Sequence, residues 1–313
     1  MSEKESNESN STAFMPENEN EMKSKQSYGL ACCKYIDNVL HVLMIKKKYT
    51  YSFFEFVFGK YPKFDRSKLE ALFDTMTYRE KTDILEMDFD KLWCRIVLNV
   101  PDDPNSIGKI RVKLKRPAGK KRFDLAFHDG IIESEIASEY FGREKEWQTY
   151  MAKKQRFREF TDDGGKRLKE LINHSKSADP IWEIPKGRPD GDEKALDAAI
   201  REFTEETLGT INNYKIIFDI SPIKINYVHS NCLYKNDYYI ALADPNWIPQ
   251  FQYNCYEHNR EVEELRWIPP DELKYLNRGQ HTYKRMIKLM DIISRAVKPY
   301  KVIKIDNQKR QEI

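Results

Sequence analysis

The sequence predicts an α/β protein in which a mixed sheet is held between helices and is interrupted by a helical insert. Three observations predict it. Apolar runs with strand periodicity lie at both ends of the chain, helical periodicity fills the span between Phe53 and Ser175, and a glycine-rich charged loop runs straight into a helix near residue 195. The 313 residues exceed the usual ~100–200 of one domain, so two modules are expected.

Residues 1–26 are rich in Ser, Asn and Glu and poor in large apolar side chains, a composition that reads as a disordered tail. Over 27–50, the runs Tyr28–Lys34 and Val39–Lys46 flank Asp37-Asn38, a turn signal between two strands, and predict a first hairpin belonging to the sheet module. Residues 51–175 change period. Leu69, Leu72, Phe73 and Met76, then Leu85, Phe89, Leu92, Trp93 and Ile96, keep helical spacing, and a third helical pattern covers Ile131 to Phe160.

This insert carries a local charge anomaly: Lys109, Arg111, Lys113, Lys115, Arg116, Lys120, Lys121 and Arg122 are eight cations in fourteen residues with no acid. Lys153, Lys154, Arg156 and Arg158 form a second group interleaved with Phe157 and Phe160. Nucleic-acid backbone binding and plain solvated surface are equally open on charge alone. The sheet module resumes over 176–300. Lys215–Ile220, Ile223–His229, Asn236–Ala243 and Val262–Ile268 read as strands, Thr282–Val297 as an amphipathic helix, and 301–313 as a tail.

The chemistry is concentrated in Trp182–Gly209, WEIPKGRPDGDEKALDAAIREFTEETLG. Leu196, Ala199, Ile200 and Phe203 form one apolar helix face, while Glu202, Glu205 and Glu206 share another at i, i+3 and i+4. Like charges at that spacing repel, and no lysine or arginine lies between Arg201 and Lys215 to offset them. A solvated acidic helix would interleave lysines. A hard divalent cation with open positions for substrate phosphates explains the pattern better.

Other classes find no support. The formal net charge of +3 is too small to argue for nucleic acid by itself, and the five cysteines form no CxxC pair. No HExxH or GxSxG occurs, and neither a signal pattern nor a membrane-length apolar run is present, so a soluble intracellular protein is expected. Trp182, Tyr227, Tyr239, Trp247, Phe251, Tyr253 and Tyr256 are candidate stacking groups, with a place in the core as the plainer reading.

Gly187, five residues, Glu193, seven residues, Arg201-Glu202-Phe203, then Glu205-Glu206 resembles the Nudix box, GX5EX7REUXEEXGU. The resemblance implies an α/β/α sandwich, with Glu202, Glu205 and Glu206 as ligands of magnesium or manganese. Arg201 with Glu193 would brace the loop, and the reaction would hydrolyse a nucleoside diphosphate linked to another moiety. One position departs: Leu208 stands where the box has glycine, and Gly209 follows. A glycine one place late still suits the left-handed end of a helix, so the helix is expected to run one residue longer. Glu261–Leu273, EVEELRWIPPDEL, resembles the late Nudix strand whose preceding loop can supply a general base. Glu261 is the first candidate and Glu264 the second. Lys186 and Arg188, beside Gly187, are placed to touch phosphates, with loop surface charge as the equal alternative.

Beyond the box, FFEFVFGKY (Phe53–Tyr61), LFDTMTYREKTDIL (Leu72–Leu85), DFDKLW (Asp88–Trp93) and WEIPKGR resemble the Nudix decapping hydrolases of large DNA viruses. That resemblance implies an RNA-binding helical insert, carrying Lys113, Lys115, Arg116, Lys120, Lys121 and Arg122 as RNA contacts. It also implies cleavage of capped RNA to 7-methyl-GDP and 5′-monophosphate RNA. A viral protein acting in host shutoff in the host cytoplasm would follow, with packaging in the virion left open. Hydrolysis of diphosphoinositol or dinucleoside polyphosphates, an RNA-binding protein on a Nudix scaffold, and an oligomer also remain open.

Overall fold

The structure is a computed structural model that describes residues 23–62, 65–96, 127–128, 131–132, 144–229, 231–252 and 261–309. The chain opens with β1 (Lys23–Ile36) and β2 (Val39–Lys47). Ile36 pairs with Val39, leaving a two-residue loop in which Asp37 and Asn38 both take positive φ, 48° and 65°. Asp and Asn tolerate that conformation, and its twist matches the hairpin. The strand begins four residues inside the segment expected to be a tail. Lys23–Gln26 are polar, so composition hides them, and what holds them is a parallel backbone ladder with Cys232–Lys235.

Among the described residues six helices follow: α1 (Tyr51–Val57), α2 (Arg66–Asp74), α3 (Tyr78–Glu86), α4 (Phe89–Ile96), α5 (Glu144–Phe160) and α6 (Lys166–His174). The expected third helical pattern over 131–160 is corrected at its start. Ile131–Ile132 form β4, pairing with β3 (Phe127–His128) across the sequence Asp129-Gly130, a strong hairpin signal that the apolar spacing obscured. The helices close one apolar core around Phe53, Phe56, Phe73, Trp93, Tyr150 and Phe160. Their starts are fixed by side chains. Thr50 caps α1, and Thr77 with Glu80 forms a capping box on α3. The Glu80 carboxylate also accepts from the Thr50 backbone N and from Thr50 Oγ1 at 2.8 Å, so one buried acid ties two helix starts together.

The chain then returns through β5 (Trp182–Glu183), β6 (Lys186–Gly187) and α7 (Ala195–Thr207). It continues into β7 (Tyr214–Ile216), β8 (Ile223–His229), β9 (Cys232–Ala243), β10 (Val262–Ile268), a short 3-10 turn, and α8 (Tyr283–Lys309). Helix α8 runs nine residues into the expected C-terminal tail. The sequence 301–309 holds no glycine or second proline to stop it, and Pro299 is accommodated inside the helix.

The sheet order is β10-β2-β1-β9-β7, with β5 on β2, β6 on β1 and β8 on β9. Strands β1 and β9 are parallel and the other pairs antiparallel, a mixed sheet. Alternation along β1 sends Ala31 and Cys33 to the core shared with α8 (Met286, Met290, Ile293), and Leu30 and Cys32 to the core shared with α7 (Phe203). The sheet is therefore covered by helices on both faces. The two central strands come from the N-terminal 50 residues, and the acidic helix is laid on them from far along the chain.

Candidate active site

Helix α7 presents its carboxylates at the edge where β2, β5 and β6 meet. Ala198, Ala199 and Phe203 are buried against the sheet, while Leu196 and Ile200 of the expected apolar face are half-buried. The helix stops at Thr207, and Leu208 itself takes the left-handed conformation at φ 57°, ψ 11°. This corrects the expected longer helix. The end is closed by side chains: Thr204 Oγ1 donates to Gly209 O at 3.0 Å and the Gly209 N donates to Thr207 Oγ1 at 3.1 Å. Gly209 serves a different need, because a Cβ there would lie 2.8 Å from both Phe203 and Trp247.

Arg201 organises the loop. Its Nε and Nη2 donate to the Glu193 carboxylate at 3.0 and 2.9 Å, Nη2 reaches Arg188 O at 2.8 Å, and Nη1 reaches Glu202 Oε1 at 2.8 Å. The hydrogen bonds from Arg201 hold the Glu193 carboxyl below its ordinary range, and the same contacts raise the guanidinium. Glu202 lies against Gly187, where a Cβ would sit 2.0 Å from the carboxyl carbon. Only glycine leaves that seat for the acid. The Arg188 side chain is exposed.

Glu206 is buried at 5% exposure. Its Oε2 accepts from the Lys186 backbone N at 3.0 Å and its Oε1 from Lys47 Nζ at 3.2 Å. Burial, with Glu183 and Glu261 nearby, pushes this acid up to about 7 against the opposing ammonium of Lys47. Glu202 is raised too, by burial first, with Glu205 and Glu261 adding to it. Glu205 is the most open of the three, 3.5 Å from Arg201 Nη1.

Three residues at this centre escaped the sequence reading. Lys47 Nζ, 10% exposed, stands 3.0 Å from Glu261, 3.2 Å from Glu206 and 3.7 Å from Glu183. Glu183 accepts from Tyr51 Oη at 2.8 Å and from Lys186 Nζ at 2.8 Å. Burial alone would raise Glu183, but the Lys186 and Lys47 ammonium groups outweigh it and hold it low. Lys186 is thus engaged with Glu183 and Tyr51. The pairing of Ile45 with Glu183 and Lys46 with Trp182 brings these groups together. The available signals were a charged residue inside the apolar Trp182–Pro185 run and two lysines closing β2.

The two expected base candidates part company. Glu261 joins the cluster through Lys47, with its side chain 48% exposed, while Glu264 is exposed on β10 beside a register shift. Among the expected stacking groups, Trp182 is core with the Arg266 guanidinium over its ring, and Trp247 packs on Phe203 and Trp267. Tyr253 and Tyr256, and the cations Lys113, Lys115, Arg116, Lys120, Lys121 and Arg122, lie outside the described residues.

The resemblance to the Nudix box implies a divalent ion. Among the described residues no three acidic, His or Cys side chains converge as a closed ligand set. The donors nevertheless fit one: the Glu202, Glu205 and Glu206 carboxylates are hard oxygen donors on one helix face, and the Gly187 cradle keeps the Glu202 carboxylate at the loop.

Comparison with known proteins agrees with this architecture. Residues 160–290 match the NUDIX domain. Over 272 residues the chain is 27% identical to the mRNA-decapping protein g5R of African swine fever virus, covering 83% of this chain and 91% of that protein. A protein of Acanthamoeba polyphaga mimivirus, provisionally named for mRNA decapping, is 25% identical over 263 residues, 82% of this chain and 65% of the relative. A solved Ap4A hydrolase of C. elegans in a binary complex aligns over 88% of this chain and 98% of its own at TM-score 0.40 and 11% identity, too slight a likeness to bear on substrate. No helix among the described residues is long and apolar enough to cross a membrane. With Gly187 and Glu193 of the box braced against the helix that carries its three glutamates, and a domain match across the motif, residues 160–290 form a NUDIX domain, and the domain together with the decapping-protein relatives supports a Nudix pyrophosphohydrolase.

Proposed function

We propose that the protein removes the 5′ cap of mRNA by metal-dependent hydrolysis, releasing 7-methyl-GDP and 5′-monophosphate RNA. What supports this most is similarity to viral decapping proteins that extends over 83% of the chain, well beyond the box. Glu202, Glu205 and Glu206 would hold magnesium or manganese. When bound, such an ion neutralises the phosphate bridge and lowers the pKa of a coordinated water. The chain's own residues prepare the rest. Arg201 and Glu193 fix the loop, Gly187 admits the Glu202 carboxylate, and Lys186 N holds Glu206 in place. Glu261, half-exposed and paired with Lys47, is the carboxylate open to receive the proton of the attacking water. In this reading Lys113, Lys115, Arg116, Lys120, Lys121 and Arg122 track the RNA backbone, and the site of action is cytoplasmic mRNA.

The test is incubation of cap-labelled RNA with magnesium or manganese, with products resolved by chromatography. Label should appear as 7-methyl-GDP. Intact capped RNA beside rapid cleavage of a dinucleoside or diphosphoinositol polyphosphate would replace this reading with a small-substrate hydrolase.

A further inference from the structure

On the sheet face that carries α8, a small cavity of about 30 Å³ adjoins the carboxylate centre and opens to solvent. Lys186 connects the two. Its backbone N holds Glu206 at 3.0 Å, while its side chain lines the cavity and is bound to Glu183. The opposite wall is Arg285, at the start of the 27-residue α8, its guanidinium lying 3.8 Å from the centroid of the Tyr227 ring. Tyr227 is in turn stacked on Tyr234 at 5.0 Å and 4°. Among the described residues no carboxylate pairs with Arg285.

Two further polar groups line the same space. One is Asn236, 6% exposed. The other is the Thr282 hydroxyl, immediately before α8, which is buried and has no partner among the described residues. A buried polar group left unpaired costs roughly 1–3 kcal/mol, so this hydroxyl calls for a partner from outside the chain. The groups that remain open are donors. Glu183, the acid of the lining, is already engaged by Tyr51 and Lys186. The ring of Tyr227 covers one face of the guanidinium and leaves its edge of N–H groups open, the edge that binds a phosphate in parallel pairs. The positive end of the α8 dipole adds to the preference for an anion.

We propose that this cavity is an anion subsite that holds a phosphate group of the substrate other than the one attacked, through Arg285, Asn236, Thr282 and Lys186. The assignment to the substrate rests on the pyrophosphohydrolase reading; the anion site itself does not. A polyphosphate seated with its scissile linkage at Glu202 and Glu206 would extend past Lys186 to Arg285, and the second contact would orient it for cleavage.

The test uses the full chain without metal, with inorganic phosphate and pyrophosphate as probes in titration calorimetry. Wild type should bind pyrophosphate saturably. Arg285→Gln should weaken it about tenfold or more, the expected loss of one charge-assisted pair. Thr282→Val should weaken it several-fold while leaving the thermal midpoint unchanged or higher, since that hydroxyl has no partner to lose in the ligand-free protein. This opposition of signs separates a ligand contact from a structural role. Wild type that fails to bind either probe at up to ~10 mM overturns the proposal. So does Arg285→Gln protein that melts and binds as wild type does. A protein that binds through Arg285 yet leaves capped RNA intact would lose the decapping reading and keep the subsite. One that cleaves caps while Arg285→Gln binds phosphate normally would do the reverse.

Discussion

Two glutamates of this chain are buried to nearly the same degree and are put to opposite uses. Glu80, in the helical module, is 3% exposed, and Glu206, on the Nudix helix, is 5% exposed. Burial raises both. Around Glu80 it is opposed by hydrogen bonds from the backbone N of Thr50 and Thr77 and from the Thr50 hydroxyl. Glu206 also has partners, yet burial, with Glu183 and Glu261 nearby, pushes it up to about 7 against the Lys47 ammonium. Burial of a carboxylate does not by itself mark a site. A satisfied buried acid is a joint between helices, and a buried acid among like charges is a place prepared for a cation.

The largest effect that can break this comparison is on turnover. Glu205→Gln or Glu206→Gln should lower hydrolysis at least ~100-fold while the metal-free protein stays folded, because each removes a ligand charge from a metal worth several kcal/mol to the transition state. Near-normal rates in both purified variants would reject the assignment of the carboxylate face. Glu80→Ala should do the converse. Loss of an acid that satisfies several buried donors should cost ~3 kcal/mol of stability, seen as a lower midpoint in urea, with turnover per folded molecule unchanged. An inactive but stable Glu80 variant would mean that the two acids are not separate in function.

Lys47→Met sharpens the comparison. Removing one member of a buried ionic cluster typically costs ~3–5 kcal/mol, and here three acids lose a shared ammonium. The metal-free protein should therefore melt well below wild type, and manganese should restore more of that loss than it adds to wild type. An equal manganese effect on both proteins would mean that Lys47 does not offset the charge of the cluster. The smallest effect lies at Leu208. Glycine relieves a left-handed residue by about 1 kcal/mol but makes the unfolded chain freer, so Leu208→Gly should raise the thermal midpoint by at most a few degrees. A clear fall would show that the leucine side chain stabilises the helix end more than its backbone strains it.

The Nudix helix and the strands Ile223–His229 and Val262–Ile268 were legible because each keeps a single period between clear breaks. So was the spacing of Gly187, Glu193, Arg201 and the three glutamates, which lies within one continuous stretch. Lys47, Tyr51 and Glu183 were not legible. They meet only because β2 and β5 lie antiparallel across the insert, and a pairing register leaves no mark in the spacing of residues more than a hundred positions apart. The first residues of β1 were missed because polar residues there are held by a parallel backbone ladder rather than by an apolar face. Leu208 misled because the position of a glycine in a motif does not say which residue bears the positive φ once threonine hydroxyls close the helix.

The parallel ladder between β1 and β9 also sets the order in which the molecule can be made. Lys23 pairs with Cys232, so the hairpin at the centre of the sheet must wait for about 200 more residues to be synthesised. At ~5–20 residues per second that is on the order of 10–40 s on the ribosome. The helical module, complete by His174, emerges first, and its Glu80 joint grips Thr50 immediately after the hairpin. A waiting pair of strands is thus tethered to a folded body before its partner strand exists. The same dependence means that residues 160–290 expressed alone would lack the two central strands and the Lys47 ammonium.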